Sequence, residues 1–252
     1  RITDLHPEGF STFLKYIYSR GVNFVNILQA LHTRAAAQKY MEPKLVKKCD
    51  DFINYGITTA NVCIVLDYSL KHGNIDHFNG KIDGLVESSP GPVLKSQAFM
   101  AASRESVLQI LKNPRLKIKE YDLIKHVYAW AVAHSKQEPD KPTIDTVKQT
   151  MRPFLPELHF LALTPQEFVD GPVSWKIMTH SETLAVLSNI INPGSEELPE
   201  FISKITRNRN GKPLKPEKAT MTDTKVQTLC RHCHTWATYD RNTDPGHIKV
   251  WV

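Results

Sequence analysis

FSTFLKYIYSRGVNFVNILQALHTRAAAQKYMEPKLVKKCDDFINY, residues 10–55, holds three apolar runs in succession, each spaced as on one face of a helix. Phe10, Phe13, Leu14, Ile17 and Tyr18 form the first, Ile27, Leu28, Leu31 and Ala35 the second, and Leu45, Val46, Cys49, Phe52 and Ile53 the third. Gly21 and Asn23 part the first two runs, and Glu42-Pro43 the last two. A proline is tolerated in a first helical turn and poorly deeper in, so Pro43 marks a helix start. Amphipathic helices joined so closely must fold back on one another to hide their apolar stripes.

Further along, Gly56 stops the third helix, and Thr58 or Thr59 is placed to cap the next. Ala60 to Lys71 carries Val62, Cys63, Val65, Leu66 and Leu70 as a buried face, and Ile75 to Val86 carries Phe78, Ile82 and Leu85. Ser88-Ser89-Pro90-Gly91-Pro92 is a turn cluster. Phe99 to Lys112 and Lys119 to Ser135 are helical, and Trp130 falls on the Leu123/Val127/Trp130/Ala131 core stripe of the second. Ile144 to Met151 is a further helix; Thr164-Pro165-Gln166-Glu167 opens another, and Ser181 caps a last one, Glu182 to Ile191. Residues from 193 on are rich in Pro, Lys, Asn and Thr and read as a linker and extended tail.

The segment 7–52 resembles the C-terminal half of a BTB/POZ domain. The resemblance rests on Pro7, Phe10, Leu14, Tyr16-Ile17-Tyr18, Leu31, Ala35-Ala36, Lys39-Tyr40, Pro43-Lys44-Leu45, Cys49 and Phe52. Residues 56–192 resemble a BACK domain: Ile57, Asn61, Cys63, Leu66 and Ser69 at its opening, then Ser103, Glu105, Val107, Leu108 and Leu111, then Leu116, Ile118, Lys119-Glu120, Leu123, Val127 and Trp130-Ala131. Leu163, Glu167-Phe168, Gly171-Pro172 and Glu182 look like its end. The pattern is nearer to BTB-BACK proteins that end in a PHR domain than to those with kelch repeats. The expected fold is mainly α, with a partial BTB/POZ domain over 1–55, a BACK domain over 56–192 and a disordered or extended basic tail over 193–252.

The resemblance implies an interaction protein, a substrate-specific adaptor of a cullin-3 ubiquitin ligase, working in the cytoplasm or nucleus. It implies that Arg1 falls partway through the BTB/POZ domain, after the elements that dimerise it. Weak cullin-3 binding and a monomer are then expected of residues 1–252, and a homodimer once those elements are present. The contact region would be the helix pair 58–86, with Ile57, Asn61, Cys63 and Leu66 as the carried-over contact positions. An unidentified protein substrate is the second partner.

Composition agrees with a soluble globular protein. Apolar residues are 41% and charged ones 23%. No apolar run approaches the roughly 18 residues needed to span a bilayer, so no membrane partner is expected. The net charge of +6 is concentrated: residues 199–252 carry ten Lys/Arg against five Asp/Glu, the rest 22 against 21. A basic tail on a neutral body argues against nucleic acid as a partner of the fold.

No nucleotide-binding loop, His-Glu-x-x-His or nucleophile-elbow motif is present, so no enzyme, catalytic residue or cofactor is assigned. Cys230-Arg231-His232-Cys233-His234 has the spacing of a c-type haem attachment and of a zinc half-site. Cys230, Cys233 and His234, with His232 or His247 to complete the set, are the metal candidates, and a metal- or nucleic-acid-binding tail is the alternative reading. Cys49 and Cys63 lie on apolar stripes and read as small buried hydrophobes. Asp50-Asp51 and Glu196-Glu197 read as solvated charges.

Overall fold

A computed structural model of the chain describes residues 4–73, 75–135 and 143–209, and the backbone of 225–229 and 236–240. It divides into two units, 1–213 and 214–252. The first is helical, as the periodicity predicts. In the second, the strands Lys225–Leu229 and Trp236–Asp240 pair antiparallel, Gln227 opposite Thr238.

Three helices open the first unit: α1 (Pro7–Ser19), α2 (Ile27–Lys39) and α3 (Pro43–Gly56). Pro7 and Pro43 each sit in a first turn, where the missing N–H costs nothing. Asn26 caps α2 by accepting from the Gln29 amide at 2.8 Å. Helix α2 is not a one-sided amphipath. Ile27, Ala30, Leu31, Thr33, Arg34, Ala36 and Ala37 are all buried, so it is enclosed on most of its circumference. Leu28, expected on its core stripe, is exposed instead. Small residues let neighbours close in. A Cβ on Gly9 of α1 would stand 2.4 Å from the His32 carbonyl carbon, so only glycine allows this crossing.

The chain continues through α4 (Val62–His72), a short three-ten turn at Asp76–Phe78, α5 (Asn79–Ser88), α6 (Pro90–Leu94), α7 (Gln97–Met100), α8 (Arg104–Leu111) and α9 (Glu120–His134). Then come α10 (Ile144–Met151), α11 (Pro165–Phe168) and α12 (His180–Ile191). Local chemistry revises several expected boundaries. The turn cluster at 88–92 starts a helix, because Pro90 serves as a first-turn residue of α6. The expected helix 99–112 is broken, since Ser103 is the N-cap of α8 and accepts from Ser106 at 3.2 Å. Asn61, not Thr58 or Thr59, precedes α4. Thr179, not Ser181, caps α12, in a capping box with Glu182; Thr164 and Glu167 form the expected one on α11. Leu70 is exposed at the end of α4.

One continuous core runs from Phe13 and Leu31 through Cys49, Cys63, Phe99, Val127 and Phe168 to Ile202, so no break in packing marks residue 55 or 56. One polar tie crosses that junction and a second follows it. The Tyr68 hydroxyl of α4 donates to the Leu31 carbonyl of α2 at 3.1 Å. Asp67 accepts from the Ser103 hydroxyl at 2.8 Å and from its amide, holding the start of α8 against α4. Part of the expected linker packs on the helical body: Ile202 is buried and Phe201, Asn208 and Arg209 are partly buried, while 193–197 and 204–207 are exposed.

Trp130 is 3% exposed. Its indole donates to the Ala102 carbonyl at 3.0 Å, and its ring meets Phe154 edge-on and stacks on His134. Trp130→Ala is expected to cost about 3–5 kcal/mol through the cavity it leaves; a loss below about 1 kcal/mol in urea melts would contradict that packing. Gly9→Ala offers a test of the α1–α2 crossing. The methyl gains about 1 kcal/mol in helix propensity but overpacks against backbone, at about 1–3 kcal/mol or more. A net fall in the urea midpoint is expected, and a rise would show that the helices lie farther apart.

Candidate interaction site

Where α2, α3 and α4 meet, the surface opens into an apolar groove of about 460 Å³ lined by Asn26, Ile27, Leu28, Phe52, Gly56, Asn61 and Ile64. Leu28 is 41% exposed and Phe52 36%, and the two stand side by side on this groove. Phe52 leans on Phe24, their ring centroids 5.1 Å apart. The floor is pinned by side-chain hydrogen bonds. Asn61 accepts from the Thr58 amide at 2.8 Å and donates to the Gly56 carbonyl at 2.9 Å, so it fixes the α3–α4 turn. At the other wall Gln29 accepts from the Val25 amide at 2.7 Å and donates to the Thr12 hydroxyl at 3.2 Å, which holds the chain entering α2. Lys81 of α5 donates to the Asn54 carbonyl, bracing the end of α3 from behind. These bonds leave the groove preformed, with apolar walls and a polar rim.

Of the four expected contact positions, Ile57, Cys63 and Leu66 are buried. Their side chains join α3 and α4 to the core and present nothing to a partner. Asn61 alone reaches the groove, where its neighbours are Ile64, Phe52 and Leu28. Ile64 and Asn26 went unnoticed in the sequence. Phe52 and Leu28 were legible as apolar positions but were placed in the core, because a stripe drawn by period alone does not locate its own edge.

Charged residues behind the groove are more engaged than expected. Asp50, read as solvated, is half-buried and accepts from Arg34 Nε at 2.5 Å, with His77 Nε2 at 3.4 Å on the same oxygen. Asp4, exposed, pairs with Lys39 at 2.6 Å, which holds its carboxyl below the ordinary value. Burial pushes the thiols of Cys49 and Cys63 up to about 12, so both are protonated apolar fillers at neutral pH. Among the described residues no group of three or more His, Cys, Asp or Glu could hold a metal ion, and no helix is long and apolar enough to cross a membrane. Cys230, Cys233 and His234, with His232 and His247, lie outside the described residues.

No family model matches the chain. Curated relatives do. The zebrafish (Danio rerio) BTB/POZ domain-containing protein 6-A is 25% identical over 187 residues, 73% of this chain and 34% of the relative. The mouse (Mus musculus) BTB/POZ domain-containing protein 6 is 26% identical over 182 residues, 72% and 33% of the two chains. The human BTB/POZ domain-containing protein 3 is 23% identical over 206 residues, 81% and 38%. This chain is similar to the BTB/POZ domain-containing proteins. It spans about a third of the length of the curated relatives it matches. The BTB/POZ resemblance seen in the sequence is thus borne out, as is the mainly helical fold.

His32 gives a pH test of the α1–α2–α4 packing. Its ring stacks on His6 at 4.1 Å and meets Tyr68 edge-on. Burial first, then the charges of His6, His72 and Lys71, lower its pKa to about 4. The folded form therefore keeps the ring neutral while the unfolded chain takes up a proton near pH 6.5. Stability is expected to fall as pH drops from about 6.5 to about 4, and His32→Leu should flatten that slope. An unchanged slope in urea melts of the variant would place the effect elsewhere.

Proposed function

We propose that this chain is a protein-interaction module acting as part of a substrate-specific adaptor for a cullin-3 ubiquitin ligase, with the α2–α3–α4 groove as a cullin-facing contact. The relationship to BTB/POZ proteins supports the interaction class. The observation that carries the site is the exposure of Leu28 and Phe52 beside half-buried Ile64 and the pinned Asn61, an apolar groove with a polar rim, which is how the centre of a protein interface is built. Such an adaptor works by holding two proteins at a set distance and needs no reactive group of its own. A cullin helix laid into the groove would bury Phe52 and Leu28, while the helices beyond α4 space an unidentified substrate protein from the ligase. The reading places the protein in the cytoplasm or nucleus, where thiols such as Cys49 and Cys63 stay reduced.

Calorimetry of the full-length protein with the N-terminal domain of cullin-3 tests this. Binding at tens of micromolar or tighter is expected. Phe52→Asp should weaken it at least about tenfold, as a central interface residue does, under conditions where circular dichroism shows the variant folded. No binding by the wild type, or full binding by Phe52→Asp, would remove the proposal.

A further inference from the structure

Beyond α12 the chain doubles back over the helical body. Asn189 anchors the turn, donating to the Glu196 carbonyl at 2.8 Å and accepting from the Gly194 amide at 2.9 Å. Phe201 lies against the Arg152 guanidinium, which stands 3.8 Å from the ring centroid, and Ile202 is buried next to it. Residues 204–207 are exposed. The chain then returns to the body at the start of α9. The residue before α9, Lys119, makes no side-chain cap, and Asn208 supplies one by accepting the Glu120 amide at 3.1 Å.

Arg209 comes next, its side chain only 3% exposed. Its Nε donates to Glu120 Oε2 at 3.1 Å, and Nη1 donates to the carbonyls of Leu111 at 2.7 Å and Asn113 at 3.2 Å. Nη2 donates to the Glu157 carbonyl. Glu120 is fully buried, and its other oxygen accepts from the His159 amide at 2.9 Å. One carboxylate and three backbone carbonyls, drawn from the end of α8, the start of α9 and the turn after Pro156, thus converge on one planar cation. An ammonium on a flexible stem satisfies such a set poorly, whereas a guanidinium fork matches it. All four acceptors lie at least 52 residues before Arg209, so the socket belongs to the body and the arginine to the strap.

We propose that the socket at Glu120 is a guanidinium-binding site which the chain closes on itself with Arg209, making residues 193–209 a strap latched onto the helical body. The latch has two points of attachment, Phe201-Ile202 and Asn208-Arg209, with an exposed span between them. Losing the second should free the strap while the helices remain.

Hydrogen exchange on the full chain tests this, reading the 198–209 amides and the Glu120 amide. In Arg209→Ala both are expected to exchange at least about tenfold faster, as in local opening, with the amides of α2 and α3 unchanged. Millimolar ethylguanidinium should slow exchange of the His159 amide, which donates to the Glu120 carboxylate, in that variant, and ethylammonium should not. Arg209→Lys should show the fast exchange too, and it decides on the same criterion if Arg209→Ala does not fold. Wild-type exchange in the lysine variant, or equal rescue by ethylammonium, would overturn the proposal.

Discussion

The enclosure of α2 is the constraint on which the helical body depends. A helix buried around most of its surface must satisfy every polar group it carries from within the protein. Thr33 returns its hydroxyl to the Gln29 carbonyl at 2.8 Å, and Arg34 is paired with Asp50. The Leu31 carbonyl takes a further hydrogen bond from Tyr68, which is what brings α4 onto α2. Alanines at 30, 36 and 37 keep the helix thin enough for neighbours on several sides, and Gly9 does the same from α1. Because α1, α3 and α4 all close on one helix, the segment resembling a BTB/POZ half and the segment after it share a core.

The groove is a consequence of that arrangement. α2 and α3 cross with their apolar stripes turned toward the core, and the residues at the stripe edges, Leu28 and Phe52, are left as walls of the groove. The α3–α4 turn could have covered them. Asn61 instead ties that turn to Gly56 and Thr58, which keeps it short and leaves the edge open. An exposed apolar edge held open by hydrogen bonds is compatible with a binding surface and gains nothing for the isolated fold.

Electrostatics at the far end of the body obey a different balance. Burial raises the pKa of Glu120 above the ordinary carboxylate value despite the Arg209 charge and the His159 amide, which favour its ionised form. His159, beside the same arginine, is pushed down to about 4, by burial first and then by that charge. A carboxylate so placed requires a cation with several hydrogen-bond donors, and Arg209 supplies it from 89 residues away.

Local rules in the sequence determined much of this protein. The helical periods of residues 10–55, the prolines at 7 and 43, the capping box at Thr164 and the core place of Trp130 are short-range signals, and each is present in the structure. They act within one or two helical turns, so a single stretch of chain suffices to read them. Caps were less legible where several candidates stood together, as with Thr179 and Ser181, because which one bonds depends on how the chain enters the helix. The apolar stripe of α4 already puts Cys63 and Leu66 inside, against the contact role that the resemblance implies for them; only the tertiary structure decided that Ile57 joins them while Asn61 lines the groove. It alone decided that residues 193–209 belong to the body. Their composition is that of a linker, and what holds them is a buried pairing between Arg209 and Glu120, which no local pattern encodes because its partners meet only after the helices between them have packed.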